Sequence, residues 1–108
     1  MKQKYYISIL HGDRVREELV DGEPITVEGF GDFEFFRHQR NGAGEWSISE
    51  ARTGALVSGG RTGEEALANF HQLMAGRKPE EVKRFADSFI ALYGERPRWV
   101  ATAKEDEL

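Results

Sequence analysis

Apolar and polar residues alternate along several short stretches of the chain, and each alternation predicts a β-strand with one buried face. The first stretch, residues 4–10, is rich in β-branched and aromatic residues. In residues 32–39, Phe33 and Phe35 share one face and Phe36 lies on the other. The remaining predicted strands cover residues 25–30, 46–49 and 55–58.

Turn-forming residues separate the later predicted strands. Asn41-Gly42 predicts a tight hairpin before residue 46, because both residues tolerate the positive φ that such turns require. Thr53-Gly54 predicts a second turn on the same grounds. Residues 15–20 fit either a short strand or a helical turn, and the pattern leaves both open.

After the predicted strands the apolar spacing changes to that of an amphipathic helix. Thr62 lies at the expected first position, and Glu65 follows three residues later, which together predict a capping box. Gly76 provides a stop. The Gly59-Gly60 pair is expected to break the last strand before this helix. The apolar stripe consists of Ala66, Leu67, Phe70, Leu73 and Met74.

A second amphipathic helix is predicted after Lys78. Proline is favoured at the first helical position, which Pro79 takes, and two glutamates suit the positive end of the helix dipole. Gly94 ends the pattern. The apolar residues of this second predicted helix are Val82, Phe85, Ala86, Phe89, Leu92 and Tyr93.

Strands followed by helices predict an α+β fold: an antiparallel sheet of four to five strands, followed by two helices packed on one face. A chain of 108 residues with 39% hydrophobic content can build one core. We therefore expect a single domain over residues 1–100 and a charged tail over residues 101–108. The absence of cysteine excludes disulfides and thiolate chemistry.

Charge and hydropathy narrow the classes of partner. The formal net charge of -4 includes an acidic C-terminal tail, so the sequence shows no broad basic surface and argues against nucleic acid as the main partner. The apolar run at residues 5–10 is too short for a signal peptide or a membrane span. A cytoplasmic protein without membrane contact is expected.

Candidate catalytic and cofactor sites each have a simpler structural interpretation. The glycine-rich residues 59–63 precede a helix, where phosphates often bind, but they lack the P-loop ending. His11, His38 and His71 have no metal-ligand spacing and are expected to be scattered over the surface. No serine lies in a nucleophile elbow. We therefore predict no catalytic residue, no cofactor and no metal: a non-enzymatic protein.

Two resemblances suggest what such a protein does. The first is carried by a pattern that consists of Trp46, Ile48, Thr53, Gly54, Val57, Gly60, Thr62, Glu65 and Ala66. This pattern resembles that of small α+β proteins of phages and prophages, which mostly have no assigned function and pair a short meander with a helix. The second, carried by residues 60–69 and the Lys-Tyr-Tyr-containing first strand, is to HicB-type antitoxins. Those antitoxins bind and block a small RNA-cleaving toxin, and an appended segment binds DNA.

The leading hypothesis is a protein–protein interaction module of phage or mobile-element type that inhibits a host or defence factor. The alternatives are a HicB-like antitoxin or regulator, and a weak nucleic-acid-binding accessory protein whose basic residues would include Arg96. An unprotected edge strand could also pair two copies into a homodimer. Arginine and aromatic residues often dominate interfaces, so the predicted partner-binding residues are Arg37, Arg40, Arg98 and Trp99.

Overall fold

The computed structural model describes residues 3–39 and 44–97. Neighbouring strands are antiparallel and lie in sequence order across one five-stranded sheet. Two helices follow the sheet, which confirms the predicted α+β fold. The elements are β1 (Gln3–His11), β2 (Arg14–Ile25), β3 (Phe35–Gln39), β4 (Trp46–Glu50), β5 (Leu56–Gly60), α1 (Gly63–Ala75) and α2 (Pro79–Tyr93).

The second strand differs most from the sequence-based expectation. β2 spans 12 residues, so residues 15–20 form a strand and not a helical turn. The predicted strand at residues 25–30 is wrong, because Ile25 ends β2 and the Phe30 N–H donates to the Val27 carbonyl in a turn (3.0 Å). Pairing with β1 over residues 14–22 and with β3 over residues 22–25 stabilises β2, although many of its side chains are exposed and charged.

Two strand boundaries also differ from the sequence-based prediction. β3 begins at Phe35 and not at residue 32, because the Phe33 N–H donates to the Phe30 carbonyl in a further turn. β5 continues through Gly59 and Gly60, which pair with β4, so this glycine pair does not break the strand. Gly60 is needed for a close approach: a Cβ there would lie 2.5 Å from the Ala66 backbone nitrogen.

Helix α1 covers one face of the sheet. Its buried residues Phe70 and Met74 pack with Phe35 and Ile48 in a first core cluster, and Phe33 packs against it as predicted. The rings of Phe35 and Phe70 meet edge-on with centroids 5.0 Å apart. This arrangement follows from the stripe of apolar residues on α1 and from the strand period of two.

The start of α1 is capped in a slightly different way from the prediction. The Thr62 side chain accepts a hydrogen bond from the Glu65 N–H (3.0 Å), as expected of an N-cap. The Glu65 carboxylate accepts from the N–H of Arg61 (3.4 Å) and not from that of Thr62, so the predicted reciprocal capping box is wrong in its second half. Gly76 ends the helix as predicted.

The opposite face of the sheet carries a second core cluster. It consists of Tyr5, Ile7, Val20 and Phe36. Phe36 thus points away from Phe35, as the strand alternation predicted. The rings of Tyr5 and Phe36 stack in parallel with centroids 4.0 Å apart. Gly22 provides room for this stack, because a Cβ there would lie 2.9 Å from both rings.

The sheet curls until its first strand meets the turn that precedes its last strand. The Ser8 N–H in β1 donates to the Gly54 carbonyl (2.9 Å), and the Ser8 hydroxyl donates to the Thr53 carbonyl. The predicted turn at Thr53-Gly54 is confirmed, with Gly54 at φ +67°. We refer to residues 51–54 as the seam turn, because it joins the two edges of the sheet.

Helix α2 is capped at its start and fixed to the seam turn beyond its end. Pro79 begins it as predicted, and the Lys78 N–H donates to the Glu81 carboxylate (3.2 Å). Gly94 ends it at φ +85°. Beyond that end, the Arg96 N–H donates to the Arg52 carbonyl of the seam turn (2.7 Å). The segment after α2 is thereby fixed to the same turn that contacts β1.

Candidate protein-binding groove

An apolar groove lies between the two edges of the curled sheet. Its walls are β1, with Ile7, Ile9 and Leu10, and the first residue of β5, Leu56. Helix α2 completes the lining with aromatic side chains that include Phe85. The groove has a volume of about 450 Å³. It is large enough to receive several side chains of a partner.

The groove gathers most of the large apolar side chains that the fold leaves exposed. Leu10, Leu56 and Phe85 line it and are 55%, 66% and 51% exposed. Leu92, one helical repeat of seven residues after Phe85, shares its side of α2 and is 75% exposed. Leu19, at 41%, is not among the lining residues. Contiguous exposed apolar surface of this kind marks interaction sites.

The exposure of α2 follows from the width of its apolar stripe. Ala86 and Phe89 are buried, and Val82 packs against the first core cluster. Phe85 and Leu92 lie at the margin of that stripe, beside the groove, so the helix buries only part of its apolar surface. A second apolar cavity of about 240 Å³ lies toward α1, where Val82 and Met74 line it, and it shares Leu56 and Phe85 with the groove.

Polar side chains from β3 and β4 form one wall of the groove. His38 is buried, and its Nε2 lies 3.0 Å from the Ser49 hydroxyl. The expectation that all three histidines are surface residues is therefore wrong for His38. It fails because residue 38 points to the same face as Phe36, which the curl of the sheet buries. Ser47 also lines the groove.

The described part of the chain contains neither a metal-ligating cluster nor a membrane-spanning helix. Within residues 3–39 and 44–97, no cluster of three or more potential metal-ligating side chains occurs. Neither helix in that part of the chain is long and apolar enough to cross a membrane.

The glycine-rich segment at residues 59–63 has structural roles at the start of α1. Gly60 allows the close approach to Ala66 described above, and Thr62 caps the helix. A Cβ at Gly63 would lie 3.1 Å from the Arg37 guanidinium, so that side chain already covers the start of α1. The carbonyl of Gly59 accepts a hydrogen bond from the Asn69 side chain (2.9 Å).

Arg37 is the one predicted partner-binding residue that the structure describes. Its guanidinium donates to the Glu23 carboxylate (3.0 Å) and lies 5.5 Å from the ring centre of Trp46. These contacts engage much of the side chain within the fold. Arg40, Arg98 and Trp99 lie outside the described residues, so the structure does not bring the predicted set together.

Arg96 does not have the exposed position that the nucleic-acid-binding alternative requires of it. It is buried, and its guanidinium donates to the Glu17 carboxylate (2.9 Å) and to the Tyr93 carbonyl (2.7 Å). Next to it, Arg52 donates to Glu95 (2.7 Å), and this hydrogen bond raises the pKa of Arg52. Arg96 therefore holds the end of α2 against β2 and is not available to nucleic acid.

Comparison of the chain with protein-family models, with curated proteins and with solved structures gives no match. The functional interpretation therefore depends on the groove itself. In the sequence, Phe85 belongs to the apolar stripe of a predicted helix, and Leu10 and Leu56 lie within the predicted strands at residues 4–10 and 55–58. The one signal that could have indicated exposure is the excess of apolar positions on α2 over what a single buried stripe needs.

Proposed function

We propose that this protein is a non-enzymatic interaction module that binds another protein through the groove between β1, β5 and α2. The observation that supports this proposal most strongly is the concentration of exposed Leu10, Leu56 and Phe85 around one apolar concavity. Burying these side chains under a partner removes apolar surface from water, which is the main favourable term in association.

The charges near the predicted arginine site support the groove as the better candidate surface. Arg37 and Arg96 are both paired with glutamates in the fold, so partner binding through them would compete with existing ion pairs. The groove requires no such exchange. On this proposal the protein acts in the cytoplasm as a phage- or mobile-element-type protein, and its partner is a host or defence factor that it inhibits.

Site-specific photo-crosslinking in the protein's source cells tests the proposal. A photoreactive amino acid replaces Leu56 in one variant and Phe85 in another. Both positions line the groove, so we expect each variant to form the same discrete crosslinked product with one partner protein. Introducing Leu10→Glu in either variant should reduce the yield strongly, because it places a charge against an apolar contact.

Leu19 provides the matched control. It is an exposed leucine on β2 that does not line the groove. We expect no discrete product from the photoreactive amino acid at position 19, and no loss of the groove crosslinks in Leu19→Glu. Equal crosslinking from positions 19 and 56, or no product from either groove position, would contradict the assignment of the binding surface.

A further inference from the structure

The direction of the strands at the groove limits what can enter it. Each of the four neighbouring strand pairs is antiparallel, so β1 and β5, at opposite edges of the sheet, run parallel to each other. They are joined near the start of β5, where Ser8 contacts Gly54. A single extended segment placed beyond that contact could therefore run antiparallel to both edges, which is the more favourable pairing.

The backbone of β1 presents hydrogen-bonding groups on this side. The hairpin pairs His11 with Arg14 across two residues, and the Ser8 N–H points away from β2 to Gly54. Because successive residues alternate between the two edges of a strand, the N–H and carbonyl of Leu10 face the groove as well. Such an edge is a template for an added strand.

The side chains of the groove define the chemistry of that segment. Ile7 and Ile9 point to the same face of β1, at the spacing of alternate residues in a paired strand. No Asp, Glu, Lys or Arg occurs among the described residues that line the groove. An incoming strand with uncharged apolar residues at every second position matches this lining, whereas charged residues there would be desolvated without a partner.

A second copy of the chain fits this site less well. Each described strand of this protein is already paired along at least one edge, so a copy could offer only one free edge. A segment that lies between β1 and β5 has both edges facing a strand. The segment must therefore be one that is not already part of a sheet, which excludes the described strands of a second copy.

On these observations, which rest on the proposed function, we propose that the partner contributes an unpaired extended segment with alternating apolar residues. The segment adds to the edge of β1 beyond Ser8, antiparallel to β1 and β5. Its apolar side chains enter the groove against Ile7, Ile9 and Phe89. The binding mode is strand addition, with backbone hydrogen bonds to Leu10 and side-chain specificity from the groove.

Selection from a phage-displayed library of random twelve-residue peptides tests this proposal on the full chain. We expect enriched peptides to carry apolar residues at every second position. Leu10→Pro removes the edge N–H without removing a hydrogen bond to β2, and should bind the best synthetic peptide at least about tenfold more weakly than Leu10→Ala, which shortens the side chain but keeps that N–H. Lys4→Pro, at an equivalent edge position outside the groove, is the control and should leave the affinity unchanged.

The alternative outcomes separate this inference from the proposed function. Enriched peptides with helical spacing that bind Leu10→Pro normally but fail on Leu56→Glu would overturn strand addition and leave the groove as the binding surface. Peptides whose affinity is unaffected by Leu56→Glu would contradict both proposals. The absence of enrichment would also contradict strand addition. Circular dichroism of each variant shows that its fold is intact before affinities are compared.

Discussion

We expect Gly54→Ala to lower the free energy of unfolding by about 3–5 kcal/mol, the sum of a backbone strain and a lost seam contact. Gly54 has φ +67°, which disfavours any residue with a Cβ. The added Cβ would also lie 2.8 Å from the Ser8 nitrogen and 2.9 Å from the Tyr6 carbonyl oxygen. The seam turn must therefore move away from β1. Urea denaturation followed by tryptophan fluorescence measures the loss.

Gly12→Ala separates the two contributions. Gly12 has nearly the same positive φ of +64°, but no atom lies within 4 Å of a Cβ built there. The free energy of unfolding of this variant should fall by about 1–2 kcal/mol, from the backbone strain alone. Equal losses at the two glycines would mean that the contact between the seam turn and β1 contributes nothing to stability, and would contradict the curled sheet.

Glu50→Ala is expected to cost about 3–4 kcal/mol, because it leaves two backbone donors without their charged acceptor. Glu50 is buried at the end of β4. Its carboxylate accepts hydrogen bonds from the N–H groups of Arg52 (2.7 Å) and Thr53 (2.9 Å). The side chain thereby fixes the conformation of the seam turn. The same urea titration, with the slope compared between variants, gives the value.

Two variants serve as controls for the role of Glu50. Glu50→Gln keeps one acceptor oxygen and should recover about half of the loss. Glu81→Ala removes a carboxylate that also accepts from a backbone N–H, but at an exposed helix start, and should cost only about 1 kcal/mol. A loss in Glu50→Ala no larger than that in Glu81→Ala would refute a structural role for the buried carboxylate.

The seam turn connects stability with the proposed function. It sets the separation of β1 and β5 through Ser8 and Gly54, and it holds the segment after α2 through Arg52. The groove opens directly beyond this contact, with Gly54 and Leu56 in its lining. Variants that release the turn should therefore weaken binding as well as folding, whereas Gly12→Ala should affect folding alone.

Local patterns predicted the elements whose residues repeat in a simple period. The apolar stripe of α1, the cap at Thr62 and the turn at Gly54 are determined by neighbouring residues, and all three are confirmed. The assignment of Phe35 and Phe36 to opposite faces also follows from the strand period alone. These features need no knowledge of distant contacts.

The predictions that were wrong concern features that depend on contacts between distant parts of the chain. β2 has an irregular burial pattern, and its length is set by pairing with β1 and β3 and not by its own side chains. His38 and Arg96 have polar side chains and are buried only because the sheet curls and the segment after α2 folds back. The local spacing of apolar residues predicts neither the curl of the sheet nor the position of the segment after α2.

The candidate site could not be predicted for the same reason. The groove exists because β1 and β5, separated by more than 40 residues, approach each other at the seam turn. Leu10, Leu56 and Phe85 have ordinary core-like sequence contexts, and only the assembled fold shows that they remain exposed around one concavity.

Amide hydrogen exchange at Leu10, with and without the best selected peptide, tests the central claim most directly. If the partner segment adds to β1 within the groove, the Leu10 amide should exchange at least about tenfold more slowly in the complex, because it gains a backbone acceptor. The Lys4 amide, on the same edge outside the groove, should not change. Saturating peptide that leaves exchange at Leu10 unaltered would contradict strand addition at this edge.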